Sequence, residues 1–225
     1  MDLGKVISIK NPKSPISEAY RNLKNNVQLL SLEKELKIIM IASAGSNEGR
    51  TITASNLAAV MAESGKKTIL IDCDSRKPNL HNMFGVSNES GLSNILLGQV
   101  KFDEAEWVTK QENMYVLTAG IKTINQAELL SSDKLNKFLQ GLKESFDYII
   151  IDTPPVTLAG DAKIISKYAD ACVYVVGIGE VDKKVVMKGK EILDSVGATF
   201  LGVVFNKTDL NTKRFFKNYY GKVNK

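Results

Sequence analysis

The chain is poor in the residues that announce a secreted, disulfide-stapled or metal-clustered protein: among 225 residues there are two cysteines, one histidine, one tryptophan and five prolines. Cys73 and Cys172 each lie in or beside a strand-like apolar run, so they read as buried thiols in a reducing compartment rather than as a disulfide. His81 has no cysteine, histidine or acid at metal spacing around it, which assigns it to packing or surface. No apolar run approaches the ~20 residues that span a bilayer. No signal peptide opens the chain, and the expectation is a cytoplasmic protein or one docked on a membrane by something else. Without secretion, the Asn-x-Ser/Thr tripeptides at Asn88 and Asn206 carry no glycosylation meaning. Internal repeats and low-complexity blocks are also missing.

What remains is ordinary in bulk and uneven in placement. An apolar fraction of 44% and a charged fraction of 24% suit a globular protein, and 225 residues suffice for one α/β domain with a large core. The net charge is +5, and all of it sits in the last twenty residues, where Lys207, Lys213, Arg214, Lys217, Lys222 and Lys225 face only Asp209. Such a tail is either a solvated last helix or a surface for anionic lipid, nucleic acid or an acidic partner.

Three motifs carry chemistry. The apolar run 37–42 leads into Ala44-Gly45-Ser46-Asn47-Glu48-Gly49-Arg50-Thr51, and an alanine-rich helical pattern follows to Ser64. Strand, loop and helix in that order fit the phosphate-binding pattern G-x-x-x-x-G-K-[ST], in which backbone amides cradle phosphates, the lysine reaches the terminal ones and the hydroxyl ligates Mg²⁺. Ala44 replaces the first glycine and Arg50 the lysine. A second apolar strand ends in Asp72-Cys73-Asp74, followed by Ser75-Arg76-Lys77-Pro78. Alternation along a strand points Asp72 and Asp74 to one side, where a shared cation such as Mg²⁺ relieves their repulsion. A third strand, 147–151, delivers Asp152 ahead of Thr153-Pro154-Pro155 in the Walker B arrangement, whose acid binds Mg²⁺.

The remaining segments fill in an alternating pattern. Residues 1–14 read as an irregular arm, and Ser14-Pro15 caps a helix whose apolar stripe is Ile16, Ala19, Tyr20, Leu23, Val27 and Leu30. Glu18, Arg21 and Lys24 form a charged ladder on one flank, either solvated or docking another copy of the chain. Residues 79–112 suggest two short helical pieces broken at Gly85 and Gly91, with Trp107 beyond them; a strand at 114–118 and a helix at 132–144 follow. After the third motif come a helix at 161–168, a strand at 171–176, a helix at 181–196 and a last core strand at 200–206. The tail, with Phe215, Phe216, Tyr219 and Tyr220, is aromatic and basic. Strands alternating with helices imply an α/β fold: a single P-loop NTPase domain, its mostly parallel sheet covered by helices on both faces.

Taken together, the loop, Ile71-Asp72-x-Asp74-x-Arg76-Lys77-Pro78, Ile150-Ile151-Asp152-Thr153-Pro154-Pro155 and the tyrosine-bearing tail resemble the bacterial tyrosine kinases of capsule and exopolysaccharide synthesis. Those kinases share the P-loop fold of the MinD and ParA ATPases, and the likeness runs from Ser14 to Val204. It implies an N-terminal arm and oligomerisation helix over 1–35, a kinase core over 36–207 and a tail over 208–225. It also implies ATP and Mg²⁺ as cofactors. Asn47, Glu48, Gly49, Arg50, Thr51 and Ile52 would hold the nucleotide phosphates, and Asn206 would face the adenine. Thr51, Asp74 and Asp152 would serve the metal, with Asp72, Arg50, Asp74 and Asp152 as the catalytic set and Asp72 as acceptor of the tyrosine proton. Tyr219 and Tyr220 would be phosphorylated by a neighbouring subunit in a ring closed through Glu18, Arg21 and Lys24. A membrane activator protein would present a cytoplasmic tail and recruit the kinase to the inner face of the membrane; polysaccharide-synthesis proteins would be substrates, and nucleic acid no partner. Arg50 leaves open a nucleotide-binding pseudokinase or assembly regulator, and a partition-type ATPase is a third reading.

Overall fold

A continuous apolar strand can only be stable if both of its faces are covered, and that demand organises the fold. The computed structural model describes residues 6–32, 34–105, 109 and 111–208; the tail with Tyr219 and Tyr220, and Trp107, lie outside the described residues. In chain order come α1 (Ile7–Lys10), α2 (Pro15–Ser31), β1 (Ile38–Ser43), α3 (Arg50–Glu63), β2 (Thr68–Asp72), α4 (Leu80–Phe84) and α5 (Leu92–Leu97). A 3₁₀ turn at Phe102–Glu104 precedes β3 (Met114–Leu117), α6 (Gln126–Ser131), α7 (Asp133–Ser145) and β4 (Tyr148–Asp152). The chain continues through α8 (Asp161–Ser166), β5 (Ala171–Gly177), α9 (Lys183–Asp194) and β6 (Phe200–Asn206).

The six strands form one sheet in the order β3-β2-β4-β1-β5-β6, and every described pairing is parallel. Period-two alternation splits the core between the faces. Ile38, Met40, Ile69, Ile71, Ile149 and Ile151 point into one layer with α7 and α8, while Ile39, Ile41, Leu70 and Ile150 meet α3 on the other. Helix α3 is buried from Thr53 to Ala62, which explains its small side chains: alanines let it lie close over β1, β2 and β4. On α7, Leu135, Leu139 and Leu142 recur at helical spacing and are the residues it buries.

Capping fixes where α2 begins. The Ser14 side chain accepts the Ser17 amide at 3.0 Å, and Pro15 occupies the first turn, where its missing N–H costs nothing. Three expectations need correction here. The arm expected at 1–14 contains the helical turn α1, with Val6 fully buried and the Ser8 amide donating to Asn56 Oδ1 at 2.9 Å on α3. The stripe on α2 is also narrower than its sequence suggests: Tyr20 and Val27 are buried, but Ile16 and Leu30 are 47% and 40% exposed, because among the described residues only one side of the helix rests on α3. Strand β6 lies at a sheet edge and leaves Val203 and Phe205 exposed, so it is a border rather than core.

Asn56 ties α1 to α3, and its own amide caps the Ile52 carbonyl at 2.8 Å. Asn56→Ala leaves the buried Ser8 amide without its partner. The expected loss is about 1–3 kcal/mol, read as a lower urea midpoint at unchanged slope.

Candidate active site

Between β1 and α3 the chain makes a tight turn that needs left-handed backbone at two points, Asn47 with φ 63° and Gly49 with φ 94°. A side chain at Gly49 would also collide with the Asn206 amide, so both conformation and space require glycine there. The loop is braced from within by Glu48, whose buried carboxylate accepts the Gly45 amide at 2.6 Å and the Gly177 amide of β5 at 3.3 Å. Its carbonyl accepts from Asn206 Nδ2 at 3.0 Å, pinning the turn to β6. Ala44 is accommodated where the pattern has glycine. Its carbonyl accepts from the Thr157 amide at 3.2 Å and hydroxyl at 2.8 Å. On its other side α9 presents Gly189, where a Cβ would stand 3.0 Å from the Ala44 methyl and collide with the Tyr174 hydroxyl.

Asp72 and Asp152 end adjacent strands in register, so two carboxylates meet at the dry edge of the sheet. Strand β2 stops at Asp72, and the alternation that would have kept Asp72 and Asp74 on one side stops with it. Asp72 turns onto backbone: its carboxylate accepts from the amides of Asp74 at 3.0 Å, Asn79 at 3.0 Å and Leu80 at 3.2 Å. Asp74 accepts the Lys77 amide at 3.0 Å and faces Arg50. The guanidinium of Arg50, 9% exposed, reaches three oxygens at once: Nη1 donates to Ser43 Oγ at 2.7 Å, Nη2 to Asp74 Oδ2 at 3.4 Å, and Nε lies 3.3 Å from Asp152 Oδ1. The last contact is an ion pair without hydrogen-bond alignment, so Arg50 Nε and Asp152 Oδ1 are each left without a hydrogen bond.

Burial pushes the Asp152 carboxyl up to about 6, against the pull of the Arg50 charge and the Thr51 hydroxyl. Burial and the neighbouring Asp152 charge raise Asp72 to about 7 despite its three amide donors. In front of these groups opens a cavity of about 650 Å³, lined by residues 46–52 together with Asp74, Arg76, Lys77, Pro78, Asn79, Pro154, Pro155, Leu158, Ala159, Glu180 and Lys207. A loop that turns its backbone at the head of a buried helix, a hydroxyl beside a buried acid, and an acid oxygen lacking a donor fit a phosphate chain with a divalent cation.

A family profile described as an AAA domain matches residues 36–177. The tyrosine-protein kinase YwqD of Bacillus subtilis is 38% identical over 216 residues, 96% of this chain and 91% of its own length. The chain belongs to the bacterial tyrosine-kinase family. Among solved structures, the chimerical protein CapA2B2 superposes with a TM-score of 0.88 at 36% identity, covering 91% of this chain and 90% of that one. The septum site-determining protein MinD of Pyrococcus horikoshii, complexed with Mg-ADP, aligns with a TM-score of 0.65 at 26% identity, covering 77% and 72% of the two chains.

For a member of the tyrosine-kinase family, the fold brings together Asn47, Glu48, Gly49, Arg50, Thr51, Ile52 and Asp74 along one cavity. Asp72 and Asp152 stand behind it, and Asn206 holds the loop rather than lining the space. Glu18, Arg21 and Lys24 do not line it either; Arg21 bonds Glu63 of α3 at 3.0 Å, Glu18 at 3.3 Å and the Pro12 carbonyl at 2.7 Å. Neither the brace made by the Glu48 side chain nor the Lys207–Glu180 pair, 2.7 Å apart at the cavity rim, has a signal in the residue pattern. Arg76 and Lys77 had a signal, their place directly after Asp72-x-Asp74, but no role.

Two expectations can be measured. In the folded site Asp152 holds its proton up to about pH 6 and Asp72 up to about pH 7, where the unfolded chain, with the ordinary value of 3.8, has released both. The folded state then binds more protons, so this part of its stability is lost as pH rises through that window. The thermal midpoint of the nucleotide-free protein contains a component falling from pH 5 to 7, and Asp72→Asn flattens it. Separately, Gly189→Ala overpacks the Ala44–Tyr174 contact and costs about 1–3 kcal/mol in a urea titration.

Proposed function

We propose that the protein is an ATP- and Mg²⁺-dependent tyrosine kinase that phosphorylates Tyr219 or Tyr220 of a neighbouring copy, under control of a membrane activator, in polysaccharide synthesis. The observation that carries this reading is the cavity of about 650 Å³ in front of Asp72, Asp74 and Asp152, on a chain whose relatives are named tyrosine-protein kinases. The loop amides and Arg50 would bind the phosphates, and Thr51, Asp74 and Asp152 would hold the metal, which supplies charge neutralisation for in-line phosphoryl transfer. Asp72, with a carboxyl raised to about 7, has a proton affinity suited to accepting a phenolic proton near neutral pH. Glu48 keeps the loop closed on β5 and β6, so the amides are aimed before any ligand arrives. The ring contact through Glu18, Arg21 and Lys24 belongs to this proposal, as do Asn206 at the base, recruitment to the membrane and polysaccharide enzymes as substrates.

One feature favours a second reading, a nucleotide-binding regulator with impaired catalysis. Arg50 is already engaged by Ser43, Asp74 and Asp152, and a guanidinium is a larger and differently hydrated group than the ammonium of the usual loop. Losing one well-placed electrostatic stabiliser costs about 10²–10³ in rate.

Mass spectrometry after incubation with ATP, Mg²⁺ and the cytoplasmic segment of the activator separates the two. Phosphate on Tyr219 or Tyr220 is expected, together with transfer from a Tyr219→Phe, Tyr220→Phe chain to an Asp72→Asn chain that keeps its tyrosines. An unlabelled wild type whose Arg50→Lys variant becomes labelled establishes the regulator. No label in either chain, even with ATP bound, removes the kinase reading.

A further inference from the structure

We infer that Arg50 is a built-in counter-ion to Asp74 and Asp152, so that Mg²⁺ alone is refused and enters only together with a nucleotide that draws the guanidinium away. This rests on the nucleotide-binding reading above and assigns the loop residue a second task within it.

Four observations carry it. The guanidinium touches both acids assigned to the metal, Asp74 at 3.4 Å and Asp152 at 3.3 Å, from within the protein. Its charge therefore already answers theirs, and a free cation would have to displace it while keeping its own costly dehydration. Asp72 is the poorer ligand, because its carboxylate already accepts the amides of Asp74, Asn79 and Leu80. Among the described residues no group of three or more carboxylates, imidazoles or thiols is arranged to hold a metal, so no preformed cage competes for the ion.

The Asp152 contact is the weak member of the three. It is an ion pair without alignment, leaving both Arg50 Nε and Asp152 Oδ1 without a hydrogen bond in a buried position. Such imperfect buried pairs gain less than well-aligned ones, so a phosphate that offers the guanidinium bidentate bonds can win it. Once the guanidinium turns to the phosphates, Asp74 and Asp152 are left as two uncompensated carboxylates, and the cation carried by the nucleotide takes its place. The single positive charge that the two acids share with Arg50 is thereby replaced by the double charge of the ion. Lysine at this position would present one compact ammonium in place of the planar fork with which Arg50 meets Ser43, Asp74 and Asp152.

The test reads metal binding without catalysis. Titrating the nucleotide-free full chain with MgCl₂ in a calorimeter is expected to give no saturable binding for wild type, whereas Arg50→Gln binds Mg²⁺ alone more tightly by about tenfold or more. Equal Mg²⁺ affinity in the two chains overturns the inference. Should Arg50→Gln fail to fold, the side-chain Nε–H resonance of Arg50, assigned by its loss in Arg50→Lys, gives the answer in wild type. It is expected to stay fixed on addition of MgCl₂ and to move on addition of ATP with MgCl₂; movement with MgCl₂ alone overturns the inference. Failure of nucleotide binding is visible separately, as absence of heat from ATP with Mg²⁺, while the Mg²⁺-only arms stand without nucleotide.

Discussion

Carboxylates at the ends of dry strands must be compensated, and most of this site follows from how each is answered. Asp72 takes three backbone amides, Glu48 takes two, and Asp74 and Asp152 share one guanidinium. Removing one partner from such a set leaves a buried charge alone, which costs far more than the pair itself contributes. The loop, the start of α4 and the ends of β2, β4 and β5 are therefore held by electrostatic necessity as much as by packing. Amide donors have a further consequence: they are part of the backbone and cannot swing away, so the charges they answer stay where the fold puts them.

The sheet itself was legible because parallel strands buried on both faces leave an unmistakable record. Runs such as 38–42, 69–71 and 149–151 are apolar at every position, and each is followed by a turn bearing an acid or a glycine. The alanine-rich stretch after the loop likewise declared a helix meant to lie close to the sheet. Less visible was anything decided by one element's position relative to another. The turn α1 has no helical period of its own, being only four residues long, and it is ordered by Asn56 on α3. Helix α2 has a full apolar stripe, yet only Tyr20 and Val27 of it are buried, since periodicity records apolar residues and not how wide a neighbour they meet.

At the site the division is similar. Which residues gather at the cavity could be read from the three motifs, because in an open α/β sheet the groups at the carboxyl ends of strands converge on one crevice. Which way each side chain turns could not. Asp72 and Asp74 look equivalent in sequence, but the strand ends between them, and one faces amides while the other faces Arg50. Ala44 stands where the pattern has glycine, and what makes room for it, Gly189 on α9, lies far along the chain.

The change from lysine to arginine in the loop is therefore more than a conservative swap. A lysine ammonium is one compact point of charge on a flexible stem, whereas a guanidinium is a planar fork of donors. The guanidinium here reaches Ser43 Oγ, Asp74 and Asp152 simultaneously, which stabilises the state without ligand. Any interaction made in the free protein and lost on binding subtracts from affinity, whatever its strength. Arginine at this position thus exchanges some hold on the nucleotide for a quieter empty site, and the imperfect Asp152 contact sets how large that exchange is.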